Sequence, residues 1–166
     1  MESMTPTIQK HDLKLLYRYC LSLSNDKDNA FDLLQCGIEK WLKASVLEPR
    51  GMAYLRKIIR NQFVDEYRRG KVLAFEPLND LSHEVSNAEQ SIEQMMIDEQ
   101  DVAELMKKLT SVERETLFLW AVMEFSAAEI ASEIGEPRGT ILSRLHRIKL
   151  KANASGHQDS AAQGAV

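Results

Sequence analysis

Between residues 138 and 151 the chain carries Arg138, Thr140, Ser143, Arg144, Arg147 and Lys151, and no acidic residue at all. Thr140, Ser143, Arg144, Arg147 and Lys151 recur at i, i+3, i+4, i+7 and i+11, the repeat that gathers side chains along a helix. Guanidinium and hydroxyl groups in such an array suit hydrogen bonding to base edges and phosphates in a major groove. This is recognition chemistry rather than bond-breaking chemistry. The plainer alternative is the solvated face of a helical hairpin, because basic helix faces also occur in proteins that never meet DNA.

A second segment, "MAYLRKIIRNQFVDEYRRGK" from Met52, offers a related set. Leu55, Ile59 and Phe63 form one apolar side. Tyr54, Lys57, Arg60, Asn61, Asp65 and Arg68 lie elsewhere on the helix, with Arg56 and Arg69. Cations track phosphates and aromatic rings stack unpaired bases, so this mixture suits single-stranded or distorted DNA. The competing expectation is that Tyr54 and Tyr67 pack in the core and the arginines are merely solvated.

Catalytic chemistry finds no comparable grouping. His11, His83, His146 and His157 are scattered, no glycine-rich phosphate loop is present, and no Ser/His/Asp pattern stands out. No enzyme activity, metal or cofactor is expected. Cys20 and Cys36 have neither metal-ligand spacing nor nearby histidines. They read as two reduced, partly buried thiols, with a redox pair as the lesser alternative.

The charge distribution supports two anion-binding surfaces. The 166-residue chain is acidic, with a formal net charge of −4. Yet residues 40–73 hold nine Lys/Arg against three acids, residues 74–105 hold nine acids and no Lys/Arg, and residues 138–151 hold five Lys/Arg and no acid. An acidic stretch between two basic ones is expected to avoid the anion that they attract.

These groups must be positioned by helices. Hydrophobic residues make up 44% of the chain, enough for ordinary cores, and β-branched alternating runs are scarce. Residues 7–23 place Ile8, Leu13, Leu16, Tyr17, Cys20 and Leu21 at helical intervals. Phe31, Leu34, Ile38, Trp41 and Leu42 mark a second helix over 29–43. Pro49 breaks the pattern, and a third helix covers about 52–70 with Gly70 as its stop. Residues 71–87, with Pro77, read as a linker. Ile92, Met95, Met96, Val102, Leu105 and Leu109 suggest the next helix. "TSVE" at 110–113 and "SAAE" at 126–129 are capping boxes. Leu117, Phe118, Trp120 and Ala121 belong to the helix after the first box.

After the second box, Ile130, Ala131 and Ile134 face inward on a short helix, Gly135 turns the chain, and Pro137 opens the next helix. Ile141, Leu145 and Ile148 are its core stripe. The tail from 152 to 166 is small and polar and is expected to be disordered. The predicted fold is all-α, two small helical domains joined by an acidic linker. They span 1–70 and 88–151, and the second contains a helix-turn-helix. No run approaches the roughly 18 apolar residues of a membrane span, so no membrane insertion and a cytoplasmic location are expected.

In this order the motifs resemble the bacterial extracytoplasmic-function (ECF) RNA polymerase sigma factors. The resemblance spans residues 8–151 and rests on "DNAFDLLQCGIEKWLK" (28–43), "AYLRKIIRNQFVDEYRR" (53–69), "LTSVERETLFLW" (109–120) and "SAAEIASEIGEPRGTILSRLHRIK" (126–149). It implies a protein that binds core polymerase and directs promoter-specific initiation. Asp32, Leu33, Gln35, Ile38 and Trp41 would lie on or support the surface docking the β′ clamp helices. The loop 44–51 would hold a flipped base. Tyr54, Lys57, Arg60, Asn61, Asp65 and Arg68 would line the melted −10 strand, and Arg138, Thr140, Ser143, Arg144 and Arg147 would face the −35 duplex. The implied partners are core polymerase and promoter DNA, with an anti-sigma factor as a further one.

Two departures stand out. Cys36, Gly37 and Ile38 replace the family's usual acidic and aromatic residues, and Tyr54 stands where many members have Trp. Gly37 costs about 1 kcal/mol in a helix relative to Ala, so the docking helix is expected to be weakened or bent. The alternative function is a stand-alone helix-turn-helix regulator, which leaves 28–43 and 50–71 without a role. A polymerase-binding protein that no longer initiates is a third reading.

Overall fold

The computed structural model describes residues 7–45, 50–70 and 99–156. Seven helices and no strand occur among them. The expected linker, Ile92, Met95, Met96 and the end of the tail fall outside the described residues. Contacts divide the chain into two compact units, Met1–Phe75 and Glu76–Val166.

The first unit packs α1 (Lys10–Ser24), α2 (Lys27–Ser45) and α3 (Met52–Arg68) together. Asn25 ends α1 in the left-handed region at φ 51°, with its N–H bonded to the Leu21 carbonyl. The Asp26 carboxylate then accepts the Asn29 N–H at 2.9 Å and starts α2. The core comprises Leu16, Tyr19, Cys20 and Leu23 from α1, Ala30, Leu33, Leu34 and Trp41 from α2, and Leu55, Ile59 and Phe63 from α3.

The α3 stripe is the expected one. The other two are rotated. In α1, Tyr19 and Leu23 face inward and Leu13 is 38% exposed. In α2, Ala30, Leu33, Leu34 and Trp41 are buried, while Phe31 and Leu42 are 59% and 42% exposed. Both helices carry apolar residues on more than one side, so spacing alone leaves the inward side open.

Gly37 explains the rotation of α2. A Cβ built there would lie 2.5 Å from Ile59 Cγ1. The glycine is the point at which α2 and α3 cross, and the expected weakness is the condition for close packing.

In the second unit, α4 (Glu99–Lys108), α5 (Ser111–Ala121), α6 (Ala127–Ile134) and α7 (Arg138–Gly156) surround Leu105, Leu109, Phe118, Leu119, Ile130, Ile134, Ile141, Leu145 and Ile148. Both capping boxes form. Thr110 Oγ1 accepts the Glu113 N–H at 3.2 Å, and the Glu113 carboxylate accepts the Thr110 N–H at 3.0 Å. Ser126 and Glu129 repeat the pattern at 3.3 and 2.8 Å. The Ser126 N–H, bonded to the charged form, holds the Glu129 carboxyl below the usual carboxylate range.

Three expectations change here. Leu119 is fully buried, Leu117 and Trp120 are half-buried, and Ala121 is exposed. Val102 is exposed. The polar tail is helical as far as Gly156. Ala152 and Ala154 favour helix, and Ser155 accepts a hydrogen bond from Lys108 Nζ at 3.0 Å, tying the end of α7 to α4.

Two outcomes are expected. Gly37→Val destabilises the first unit by about 2–3 kcal/mol, because the added carbons must displace Ile59. Chemical denaturation in a Trp120→Phe background, with Trp41 as the only indole, measures it. Cys20 is buried, and desolvation pushes its thiol up to about 12, whereas Cys36 is exposed. An alkylating reagent should therefore label one cysteine in the native protein, Cys36, and both after denaturation, as peptide mass mapping would show.

Candidate nucleic-acid interface

The first basic surface is built on α3. Its buried side is fixed by Leu55, Ile59, Gln62 and Phe63. That orientation turns Lys57, Asn61, Asp65 and Arg68 outward as exposed residues, with Tyr54 and Arg60 half-buried beside them. All six sequence-identified positions thus share one helix, and the four exposed ones follow i, i+4, i+8 and i+11 along it.

Tyr54 is not a bare ring. Arg50 Cζ lies over it, 4.4 Å from the centroid. Near the other end of α3, Tyr67 is stacked on buried Phe63 with centroids 6.4 Å apart, and it keeps a solvent-facing side. Tyr54 and Tyr67 are therefore partly packed and partly available, between the two expectations for them.

The second basic surface is built on α7, and one sequence assignment reverses there. Gly135 ends α6 at φ 79°, and the Gly135 and Glu136 N–H groups both bond to the Ala131 carbonyl, at 2.9 and 3.1 Å. The Pro137 carbonyl accepts the Thr140 and Ile141 N–H groups at 3.0 and 3.3 Å and begins α7. Arg138 is exposed, and Thr140, Ser143 and Arg147 are half-buried. The Ser143 hydroxyl donates to the Thr140 carbonyl at 3.0 Å.

Arg144, expected on the DNA face, is only 7% exposed. One terminal nitrogen donates to Thr116 Oγ1 at 3.2 Å in α5, and the other pairs with the Glu136 carboxylate at 2.5 Å. It lies three residues after Ile141 and four before Ile148, so it belongs to their inward stripe.

Lys151, also expected to point outward, bonds the Glu113 carboxylate at 2.7 Å. Glu113 therefore caps α5 and anchors α7 at once. The outward side of α7 presents Arg138, Gly139, His146 and Leu150 as exposed residues. Glu136 and Thr116, which partner Arg144, carry no distinctive signal in the sequence beyond an acid placed in the turn itself.

On α2, Asp32 and Gln35 are exposed, Ile38 is half-buried, and Leu33 and Trp41 lie beneath them in the core. The exposed Phe31 and Leu42 add apolar area to this helix that the sequence reading assigned to the interior.

Comparison with known proteins matches both units. Residues 8–72 match the family described as Sigma-70 region 2, and residues 99–151 match Sigma-70, region 4. The chain belongs to the Sigma-70 family of RNA polymerase sigma factors.

Relatives include the ECF RNA polymerase sigma factor SigL of Mycobacterium tuberculosis, 26% identical over 136 residues, covering 80% of this chain and 77% of that protein. Among solved structures, the sigma factor RpoE from Bartonella quintana, crystallised with the anti-sigma factor NepR, is similar with a TM-score of 0.61 and 28% identity. That match covers 86% of this chain and 90% of RpoE. In the terms of this sigma factor, α1–α3 lie within region 2 and α4–α7 within region 4, apart from the last five residues of α7. Among the described residues no helix is long and apolar enough to cross a membrane, and no group of three or more His, Cys, Asp or Glu side chains could hold a metal ion.

The buried guanidinium generates a sharp expectation. Arg144→Ala leaves the Glu136 carboxylate and Thr116 hydroxyl without their partner and should destabilise the second unit by about 3 kcal/mol, in the range for breaking a buried ion pair from one side. Chemical denaturation followed through Trp120, in a Trp41→Phe background, measures this loss.

Proposed function

We propose that the sigma activity is divided between the two basic helices, with α3 following the melted −10 strand and α7 reading the −35 duplex. The observation that carries this reading is the occurrence, in family order on one chain, of both matched regions, each with its own cationic helix. On α3, Lys57, Arg60 and Arg68 supply positive charge along a strand path, Asn61 and Asp65 supply directional hydrogen bonding, and Tyr54 supplies a stacking surface. Such contacts favour single strands because an unpaired base exposes a face that a duplex hides. On α7, Arg138, Thr140, Ser143 and Arg147 are the contacts to bases and phosphates. Arg144 drops out of that set and becomes the residue that positions the helix.

Core polymerase docks on α2, with Asp32, Gln35 and Ile38 at the surface and Leu33 and Trp41 holding their backbone from below. Phe31 and Leu42 extend that docking face. Residues 1–70 act as the region 2 domain, 71–87 as linker, and 88–151 as the region 4 domain with α7 continuing beyond it. The acidic residues between the basic surfaces disfavour binding of DNA there. The chain works in the cytoplasm, where its polymerase is, and bond formation belongs to the polymerase. A regulator of the kind bound to the Bartonella RpoE is a further expected partner.

Run-off transcription over a promoter library, with core polymerase alone, this chain alone and both together, tests the reading. Specific transcripts should require both proteins. Tight binding of a palindromic operator by a dimer of this chain, with no polymerase-dependent transcript, would instead establish the stand-alone regulator. Arg138→Ala combined with Arg147→Ala should lower use of promoters with a −35 element by roughly tenfold or more, as expected for the loss of base or phosphate contacts of about 1–3 kcal/mol each. Thermal melting of that double variant checks that the second unit stays folded.

A further inference from the structure

The outward side of α1 carries charge of one sign. Leu16, Tyr19, Cys20, Ser22 and Leu23 face the core, which turns Lys10, His11, Lys14 and Arg18 outward as exposed residues. Lys10, Lys14 and Arg18 stand at i, i+4 and i+8. They form a row about 12 Å long, at about 1.5 Å of rise per residue, with His11 beside it. Asp12 is the only acid of α1, and its carboxylate accepts the Gln9 N–H at 3.3 Å in the cap. Among the described residues no carboxylate pairs with any of the four. Two electrostatic effects oppose this arrangement. Like charges one turn apart repel, and Lys10 stands in the first turn, where the unpaired N–H groups favour anions. The exposed side of α2 differs. It mixes Lys27, Lys40 and Lys43 with Asp28, Asp32 and Glu39, as solvated surfaces do. A row of one sign without an internal counter-charge fits a polyanion.

We propose that the outward face of α1 is an additional DNA-binding surface of the first unit, on which Lys10, Lys14 and Arg18 hold the phosphates of duplex promoter DNA without reading its sequence. The proposal rests on the reading of the chain as a promoter-binding sigma factor and adds a contact outside α3. Because α1 packs on both α2 and α3, its outward face and the exposed side of α3 look away from their shared core in different directions. The α1 row therefore meets a stretch of DNA other than the melted strand. Lysines meet phosphates as point charges, and phosphate contacts position a protein on DNA while base contacts specify.

The test uses holoenzyme, core polymerase with the full chain, on a duplex promoter selected by the wild-type holoenzyme. Lys10→Gln, Lys14→Gln and Arg18→Gln together should weaken binding about tenfold or more at low salt and lower the slope of log affinity against log salt by about 3. The preferred −10 and −35 sequences should stay unchanged. Lys10→Arg, Lys14→Arg and Arg18→Lys together keep the charge and should keep both affinity and slope. Neutral methylphosphonate links in the duplex flanking the melted strand should weaken wild type and leave the Gln variant unaffected. If the Gln variant binds DNA with the wild-type affinity and slope, the face is only solvated and the proposal is overturned. It is equally overturned if the variant loses affinity for core polymerase in the absence of DNA, which would make the face a protein-docking surface. A wild-type chain that gives no specific transcript with core polymerase would overturn the sigma reading and the proposal with it. Should the triple variant fail to fold, Lys14→Gln decides alone through a slope lower by about 1, with Trp41 fluorescence reporting an intact first unit.

Discussion

A cation can leave water only where other groups replace its hydration, and in the second unit Arg144 is that cation. Thr116 and Glu136 replace the solvent on two of its nitrogens. The three partners come from α5, the turn after α6, and α7. One desolvated charge therefore ties together the elements that set the pose of the basic helix. Hydrophobic residues alone would hold α7 against the core with little directional preference. The ion pair adds direction, and its cost in desolvation makes it intolerant of losing either member. Lys151 repeats the principle farther along α7, against a carboxylate that already caps α5.

The first unit depends on a steric condition in place of a charged one. Gly37 removes the side chain that would meet Ile59, so α2 and α3 come close enough for Leu33, Leu34 and Trp41 to share a core with Leu55 and Ile59. The loss of helix propensity at one position, about 1 kcal/mol, is offset by burial of several large side chains, each contributing about 1.5–3 kcal/mol. The same packing brings the buried Trp41 to Arg50, two residues before α3, whose carbonyl accepts the indole N–H. The helix assigned to polymerase docking and the entry to the helix assigned to the DNA strand are thus joined by a directional bond in addition to their shared core.

The helices, both capping boxes and the glycine turn were legible in the sequence because each depends on residues a few positions apart. Thr110 with Glu113 and Ser126 with Glu129 are complete within one turn. Which side of a helix faces inward was less legible. In α3, with one apolar side and one cationic side, the two patterns agree. In α1 and α2 the apolar residues nearly encircle the helix, and only a long-range contact such as Gly37 with Ile59 selects among them. Arg144 failed for a related reason. Its charge argued for solvent, while its spacing from Ile141 and Ile148 argued for the core. Its partners stand 28 residues away at Thr116 and eight away at Glu136, beyond what a periodicity can report. The helical stretch beyond 151 was hidden by its polar composition, since Ser155 is held by Lys108 from α4.

If α7 reads DNA as proposed, the separation of its buried holding residues from its exposed ones also bears on descent. Ile141, Arg144, Leu145 and Ile148 secure the helix from inside, whereas Arg138, Gly139 and His146 stand exposed on its outer side. Exchanging an outer residue disturbs no packed partner in the core, so such changes are nearly neutral for folding. A lineage can then alter the DNA sequence it prefers by small steps while inheriting the same scaffold unchanged. Duplicated copies of such a gene could drift toward separate promoters without first having to solve the folding problem again.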